Sequence, residues 1–165
     1  GNPLDPATTM GAMVDVNHAK KVEEFLNVGK AEAKLITGGD RFSINDSDAF
    51  IQPTIFADVS EDATIARDEI FGPVLAVQTF DTEDEAIKMA NKSVYGLAAS
   101  VWTSDLARAM DLSDKLHVGT VSVNTVDALS AMTPFGGMKQ SGFGRDLSIH
   151  SFDKYTALKT IWVKY

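Results

Sequence analysis

A chain of 165 residues, 44% hydrophobic and 23% charged, is long enough for one globular domain, or a large piece of one, burying about 70% of its unfolded surface. Its formal charge of -8 at pH 7 argues against nucleic acid as a partner, since phosphate backbones are met by concentrated Lys and Arg, and no apolar run approaches the ~20 residues that span a bilayer. The lack of cysteine excludes disulfides and thiolate metal sites, and His18, His117 and His150 stand singly without ligand-pair spacing, so no metal site is expected.

The opening Gly1-Asn2-Pro3-Leu4-Asp5-Pro6 has neither a basic start nor an apolar stretch, so it is no signal peptide. It also lacks an initiator methionine, and a start in mid-loop with two prolines reads as truncation. The acid surplus fits a soluble, cytoplasmic protein.

Asn17 can cap a helix whose stripe is Val22, Phe25, Leu26 and Val28, ending near Lys34. Leu35 and Ile36 run into the turn signal Gly38-Gly39-Asp40. The stretch to Ser47 is polar and turn-rich, and Phe50 to Phe56 reads as extended, with Pro53 pointing to an edge or a loop. Val74 to Phe80 is β-rich, and Asp81 to Glu85 loads a helix start with acids. That helix, with Ala86, Ile87, Met89 and Ala90 inward, should stop before Gly96.

Leu97 to Trp102 reads as a buried strand, and Ser104 can cap a helix with core positions Leu106, Ala109, Met110 and Leu112. Gly119 is a break, Thr120 to Asn124 a short strand, and a glycine-rich loop follows. At the end, Ala157 to Lys164 alternates apolar and polar with period two, as a strand burying one face does. Strands alternating with helices imply an α/β fold with a mainly parallel sheet flanked by helices and right-handed crossovers.

Two runs carry chemistry. Glu69-Ile70-Phe71-Gly72-Pro73-Val74 sets a carboxylate beside an aromatic ring at a sharp turn. A carboxylate accepts two hydroxyl hydrogen bonds, and a ring packs on a flat heterocycle. Taken alone, composition favours a solvated Glu next to a core Phe. The second run, Pro134 to Arg145, is glycine-rich and contains Lys139 and Arg145, but it lacks both the terminal Gly-Lys-Ser of a phosphate loop and the third glycine of a dinucleotide fingerprint. Close backbone turns explain its glycines better, and a plain surface loop is the ordinary alternative.

In order along the chain, the opening with Gly11, Gly38-Gly39, Gln52-Pro53-Thr54, Glu69 to Val74, Tyr95 to Ala99, Gly119-Thr120-Val121, Val123-Asn124 and Pro134 to Arg145 resemble the aldehyde dehydrogenase superfamily across almost the whole length. Gly144 to His150, Lys154 and Leu158 to Trp162 are most similar to bacterial gamma-glutamyl-gamma-aminobutyraldehyde dehydrogenases.

The resemblance implies that residues 1–156 are the C-terminal part of a catalytic domain and 157–165 an oligomerisation strand. It implies that Glu69 holds the nicotinamide-ribose hydroxyls and that Phe71 lines the nicotinamide side of the cofactor site. Asp127, Ala128 and Leu129 fall in the family's aldehyde-anchoring loop, and Phe135 on the substrate tunnel wall. With Leu129 where some relatives carry an aromatic, the tunnel would be wider, which suits a longer or more polar aldehyde.

In the family a cysteine thiolate attacks the aldehyde, hydride passes to NAD or NADP, and water activated by a glutamate releases the acid. No catalytic residue is expected in this chain, and no cofactor is expected to bind it alone. The resemblance thus implies an aldehyde-oxidising parent, a homo-oligomer acting on a small molecule, and a chain inactive by itself. The alternative is a non-catalytic interaction module associating through its last strand, whose unpaired edge invites pairing.

Overall fold

Asp15, not Asn17, starts the first helix. Its backbone is extended and its carboxylate accepts the His18 amide at 2.8 Å, so α1 runs Val16–Glu32 with Asn17 inside the first turn. This bond caps an otherwise orphaned N–H. Ala19, Val22, Leu26 and Gly29 are the buried face. The stripe therefore closes on Gly29 rather than on Val28, because the Phe56 ring lies so close that a Cβ at Gly29 would stand 2.7 Å from its Cζ.

The structure, a computed structural model, describes residues 1–126 and 128–165. These fall into two units, Gly1–Asp81 and Thr82–Tyr165.

In the first unit, β1 (Lys34–Thr37), β4 (Thr54–Ala57) and β5 (Val74–Ala76) form a sheet in the order β1-β4-β5. β1 pairs with β4 antiparallel, and β4 pairs with β5 in parallel. A separate hairpin joins β2 (Arg41–Ile44) to β3 (Ser47–Ile51), in a stretch that composition marks only as polar. Its turn is Asn45-Asp46, both at positive φ, +49° and +63°. Two such residues match the twist of a hairpin, and Asn and Asp tolerate that region better than most. Pro53 falls between β3 and β4, where no ladder needs its missing N–H.

The core of this unit is Ala19, Val22, Leu26, Ile51, Phe56, Val59, Ala63 and Ile65. Thr54, only 2% exposed, is a polar member whose hydroxyl is satisfied on both sides. It donates to the Gln52 carbonyl and accepts the Gly39 amide, each at 2.8 Å. The short helix α2 (Thr64–Arg67) has no side-chain cap of its own from Ala63.

In the second unit, α3 (Glu83–Lys92) follows an acid-loaded start capped by Thr82, as the sequence leads one to expect. α4 (Leu106–Lys115) is capped by Asp105 instead of Ser104, its carboxylate accepting the Arg108 amide at 3.1 Å. Helix α4 lies between β7 (Ala98–Val101) and β8 (Thr120–Val123), which pair in parallel. The Leu97 to Trp102 strand is thus shorter than its apolar run, and of its residues only Val101 is buried. β6 (Tyr95–Gly96) pairs antiparallel with β9 (Met138–Lys139).

The fold is mixed α/β. Parallel pairing is confined among the described residues to β4-β5 and β7-β8, while β1-β4, β2-β3 and β6-β9 are antiparallel. A short connection such as Asn45-Asp46 can close only an antiparallel pair, whereas β7 and β8 have a helix between them to make the longer crossover.

The expected strand from Ala157 to Lys164 is absent within the chain: these residues are irregular and exposed, after a 3-10 turn at Ile149–Lys154. A strand needs a hydrogen-bonded neighbour, and no described residue supplies one to this segment. Among the described residues no helix is long and apolar enough to cross a membrane.

Candidate functional site

The Glu69 to Pro73 turn is built from one inward residue and two outward ones. Ile70 packs against the core of the first unit, while Glu69 and Phe71 on either side of it are exposed. Phe71 is 73% exposed, and its φ is +53°. A bulky residue in the left-handed region costs about 1–3 kcal/mol and persists only where its surroundings impose it.

Those surroundings can be named. Gly72 lies against Val22 of α1, so near that a Cβ would stand 2.8 Å from Val22 Cγ1. The Val74 amide donates to the Gly72 carbonyl at 2.8 Å, and the Thr54 amide to the Pro73 carbonyl at 2.9 Å. His18, from the first turn of α1, reaches the Phe71 carbonyl oxygen with Nε2 at 2.8 Å.

Glu69 is exposed. Among the described residues its carboxylate has no hydrogen-bond or ion-pair partner, so both oxygens are free to accept. The Glu69 carboxylate is thus an acceptor edge close to the exposed Phe71 ring, which the His18 imidazole approaches at a tilt of 51°.

The second unit carries the other expected residues. Ala128, Leu129 and Phe135 wall an open hollow of about 380 Å³, floored by the small strand residues Ala98, Ser100 and Ser122. Leu129 is 54% exposed. Phe135 is held by a two-way bridge to Asp146, its amide donating at 2.9 Å and its carbonyl accepting at 2.7 Å. Asp127 lies outside the described residues. The walls mix methyl and ring carbons with the hydroxyls of Ser100, Thr120 and Ser122.

The glycine-rich loop keeps its cations for itself. Arg145 Nη1 donates to the Gly137 and Gly144 carbonyls at 2.9 and 2.7 Å, and Lys139 Nζ donates to the Asn91 and Ser93 carbonyls at 3.0 Å. Both charges hold backbone in place. Close approach explains the glycines here: a Cβ at Gly119 would overlap the carbonyl oxygen of Gly136.

Glu69 and Phe71 are therefore brought together on one turn, and Ala128, Leu129 and Phe135 around one hollow. His18 is the residue that sequence reasoning passed over. Its signal was its position four residues before Val22 on one helix face, which a search for metal-ligand spacing does not register.

Parallel strand pairs, helices and site residues carried on the connecting loops place the chain in the mixed α/β class. The chain belongs to the aldehyde dehydrogenase family, whose model matches residues 1–161. It is 48% identical over 163 residues to the NADP/NAD-dependent aldehyde dehydrogenase PuuC of Escherichia coli K12, covering 99% of this chain and 32% of that protein. The solved structure of an indole-3-acetaldehyde dehydrogenase of P. syringae, in complex with NAD+ and IAA, matches with TM-score 0.95 and 48% identity over 100% of this chain and 34% of that one. A gamma-glutamyl-gamma-aminobutyraldehyde dehydrogenase from Burkholderia cenocepacia matches with TM-score 0.93 and 51% identity, over 96% and 32% respectively. The chain thus spans about a third of the length of the relatives it matches.

Proposed function

We propose that this chain is the C-terminal part of the catalytic domain of an NAD(P)-dependent aldehyde dehydrogenase, residues 1–156 forming that part and 157–165 an oligomerisation strand. The whole enzyme oxidises an aliphatic aldehyde to its carboxylic acid. The observation that carries this reading is the turn on which a free Glu69 carboxylate stands beside the exposed Phe71 ring at positive φ.

The dinucleotide, when bound, supplies the hydride acceptor. Glu69 accepts hydrogen bonds from the nicotinamide-ribose hydroxyls, and Phe71 gives the nicotinamide an apolar neighbour. Positioning of this kind matters because hydride transfer tolerates little misplacement. The 165 residues contain no cysteine, so the thiolate nucleophile belongs to the remainder of the enzyme and the chain alone is inactive.

Asp127, Ala128, Leu129 and Phe135 bind the aldehyde. Leu129 leaves the hollow wider than an aromatic would, which suits a longer or more polar substrate, with gamma-glutamyl-gamma-aminobutyraldehyde or another aminoaldehyde as the leading class. The identity to the Burkholderia cenocepacia enzyme supports that class. The enzyme works in the cytoplasm as a homo-oligomer, with the last segment contributing an edge to a neighbouring subunit.

In the full-length enzyme, Glu69→Gln should weaken NAD(P) binding and slow single-turnover hydride transfer by about tenfold or more. Unchanged affinity and transfer rate would remove Glu69 from this role.

A further inference from the structure

The residues flanking the strained Phe71 are held by backbone bonds and by packing, but its own carbonyl is held by one side chain. Among the described residues, the Phe71 carbonyl oxygen has a single hydrogen-bond partner, His18 Nε2 at 2.8 Å. The same imidazole stands with its centroid 6.1 Å from the Phe71 ring, tilted 51°. One side chain therefore touches both the backbone and the ring of the residue that most needs support.

We propose that His18 is the positioning residue of the cofactor turn: by donating from Nε2 to the Phe71 carbonyl it fixes the Phe71–Gly72 peptide plane and so aims Glu69 and Phe71. This rests on the reading that those two residues serve the nicotinamide cofactor.

Three observations carry it. First, the left-handed φ of +53° at Phe71 is a conformation that must be imposed. Gly72 against Val22 limits where the chain can pass, but it does not set the rotation of the preceding peptide. The bond to the carbonyl oxygen does.

Second, His18 is itself well placed to hold. Its amide is tied to Asp15 at 2.8 Å at the start of α1, and its side chain is partly buried. Val22, one turn further along the same face, is fully buried. The two side chains thus grip consecutive residues of the turn from one rigid helix.

Third, the fold does not depend on this bond. α1 is anchored by Ala19, Val22 and Leu26, all at 0% exposure. Loss of the imidazole removes a constraint on the turn and leaves the core packed. Donation requires the tautomer with its proton on Nε2, and a glutamine carries an N–H donor on a side chain of comparable reach.

The test uses the full-length enzyme with His18→Ala, His18→Gln and Glu69→Gln in parallel. NAD+ affinity is measured by equilibrium titration, KM for NAD+ and kcat by steady state, and exchange of the Val74 amide, which is bonded to the Gly72 carbonyl, by mass spectrometry. His18→Ala should weaken NAD+ binding about tenfold, raise KM for NAD+ more than it lowers kcat, and speed exchange at Val74 without shifting the thermal midpoint. His18→Gln should recover most of each.

Unchanged affinity and exchange in His18→Ala, with Glu69→Gln impaired, would overturn the proposal and leave the cofactor reading standing. A loss that His18→Gln fails to rescue, together with a lowered thermal midpoint, would reduce His18 to packing and also overturn it. If Glu69→Gln binds NAD+ normally, the cofactor reading fails. Exchange at Val74 then decides alone whether His18 holds the turn.

Discussion

Glu32 grips Thr64 with both carboxylate oxygens: Oε2 accepts the Thr64 amide and Oε1 the Thr64 hydroxyl, each at 2.8 Å. Oε2 also receives the Ile65 amide at 3.4 Å. The last residue of α1 thereby caps α2, whose own N-cap residue, Ala63, has no side-chain oxygen. A carboxylate at that position also favours the positive end of the short helix.

Replacing Glu32 with Ala should therefore cost about 1 kcal/mol locally, seen as roughly fivefold faster amide exchange at Thr64 and Ile65. Thr64→Val should give part of the same effect, since it removes the hydroxyl but keeps the amide. Equal protection in wild type and Glu32→Ala would show that water replaces the carboxylate without loss.

Gly72 tests the other side of the same unit. A Cβ there would stand 2.8 and 2.9 Å from the two methyl carbons of Val22, which is fully buried. Gly72→Ala should destabilise by about 1–3 kcal/mol through overpacking, measured as a lowered denaturant midpoint. Val22→Ala should open the space, so the double variant should be more stable than the sum of the two single effects predicts. Simple additivity would refute the contact.

On the proposed reading of the hollow as the aldehyde site, Leu129 should govern its width. Leu129→Trp in the full-length enzyme is expected to lower kcat/KM for long or polar aldehydes by about tenfold or more, with a smaller effect on a short aliphatic aldehyde. A uniform loss across substrates would instead indicate damage to the loop.

The closing segment should matter between subunits. Leu158, Ile161, Trp162 and Tyr165 are all exposed at 75% or more, and apolar side chains in such density mark a surface that seeks cover. Deleting Ala157 to Tyr165 from the full-length enzyme should lower the oligomeric state measured by sedimentation. An unchanged assembly would dispose of the strand's role.

Local chemistry was readable wherever it acts over a few residues. The acid-loaded start of α3, the short β-branched run of β8 and the exposure of Glu69 follow from neighbours in the sequence, whereas composition favours a core Phe71 and the structure leaves that ring 73% exposed. The hairpin at Arg41–Ile51 was less legible, because its signal is a positive-φ Asn45-Asp46 turn inside a polar stretch. Caps were misplaced by one or two residues at Asp15 and Asp105, since several adjacent side chains could each accept the bond and only backbone geometry selects one.

The sequence by itself determined the family, the α/β class and the absence of a thiol, because motif order and composition need no folding to be read. Only the tertiary structure decided what supports the motif. His18 and Phe71 are 53 residues apart, and Val22 meets Gly72 across a similar gap in the chain. No periodicity spans such distances; packing α1 against the turn brings these side chains within bonding range and imposes the backbone that presents Glu69 and Phe71.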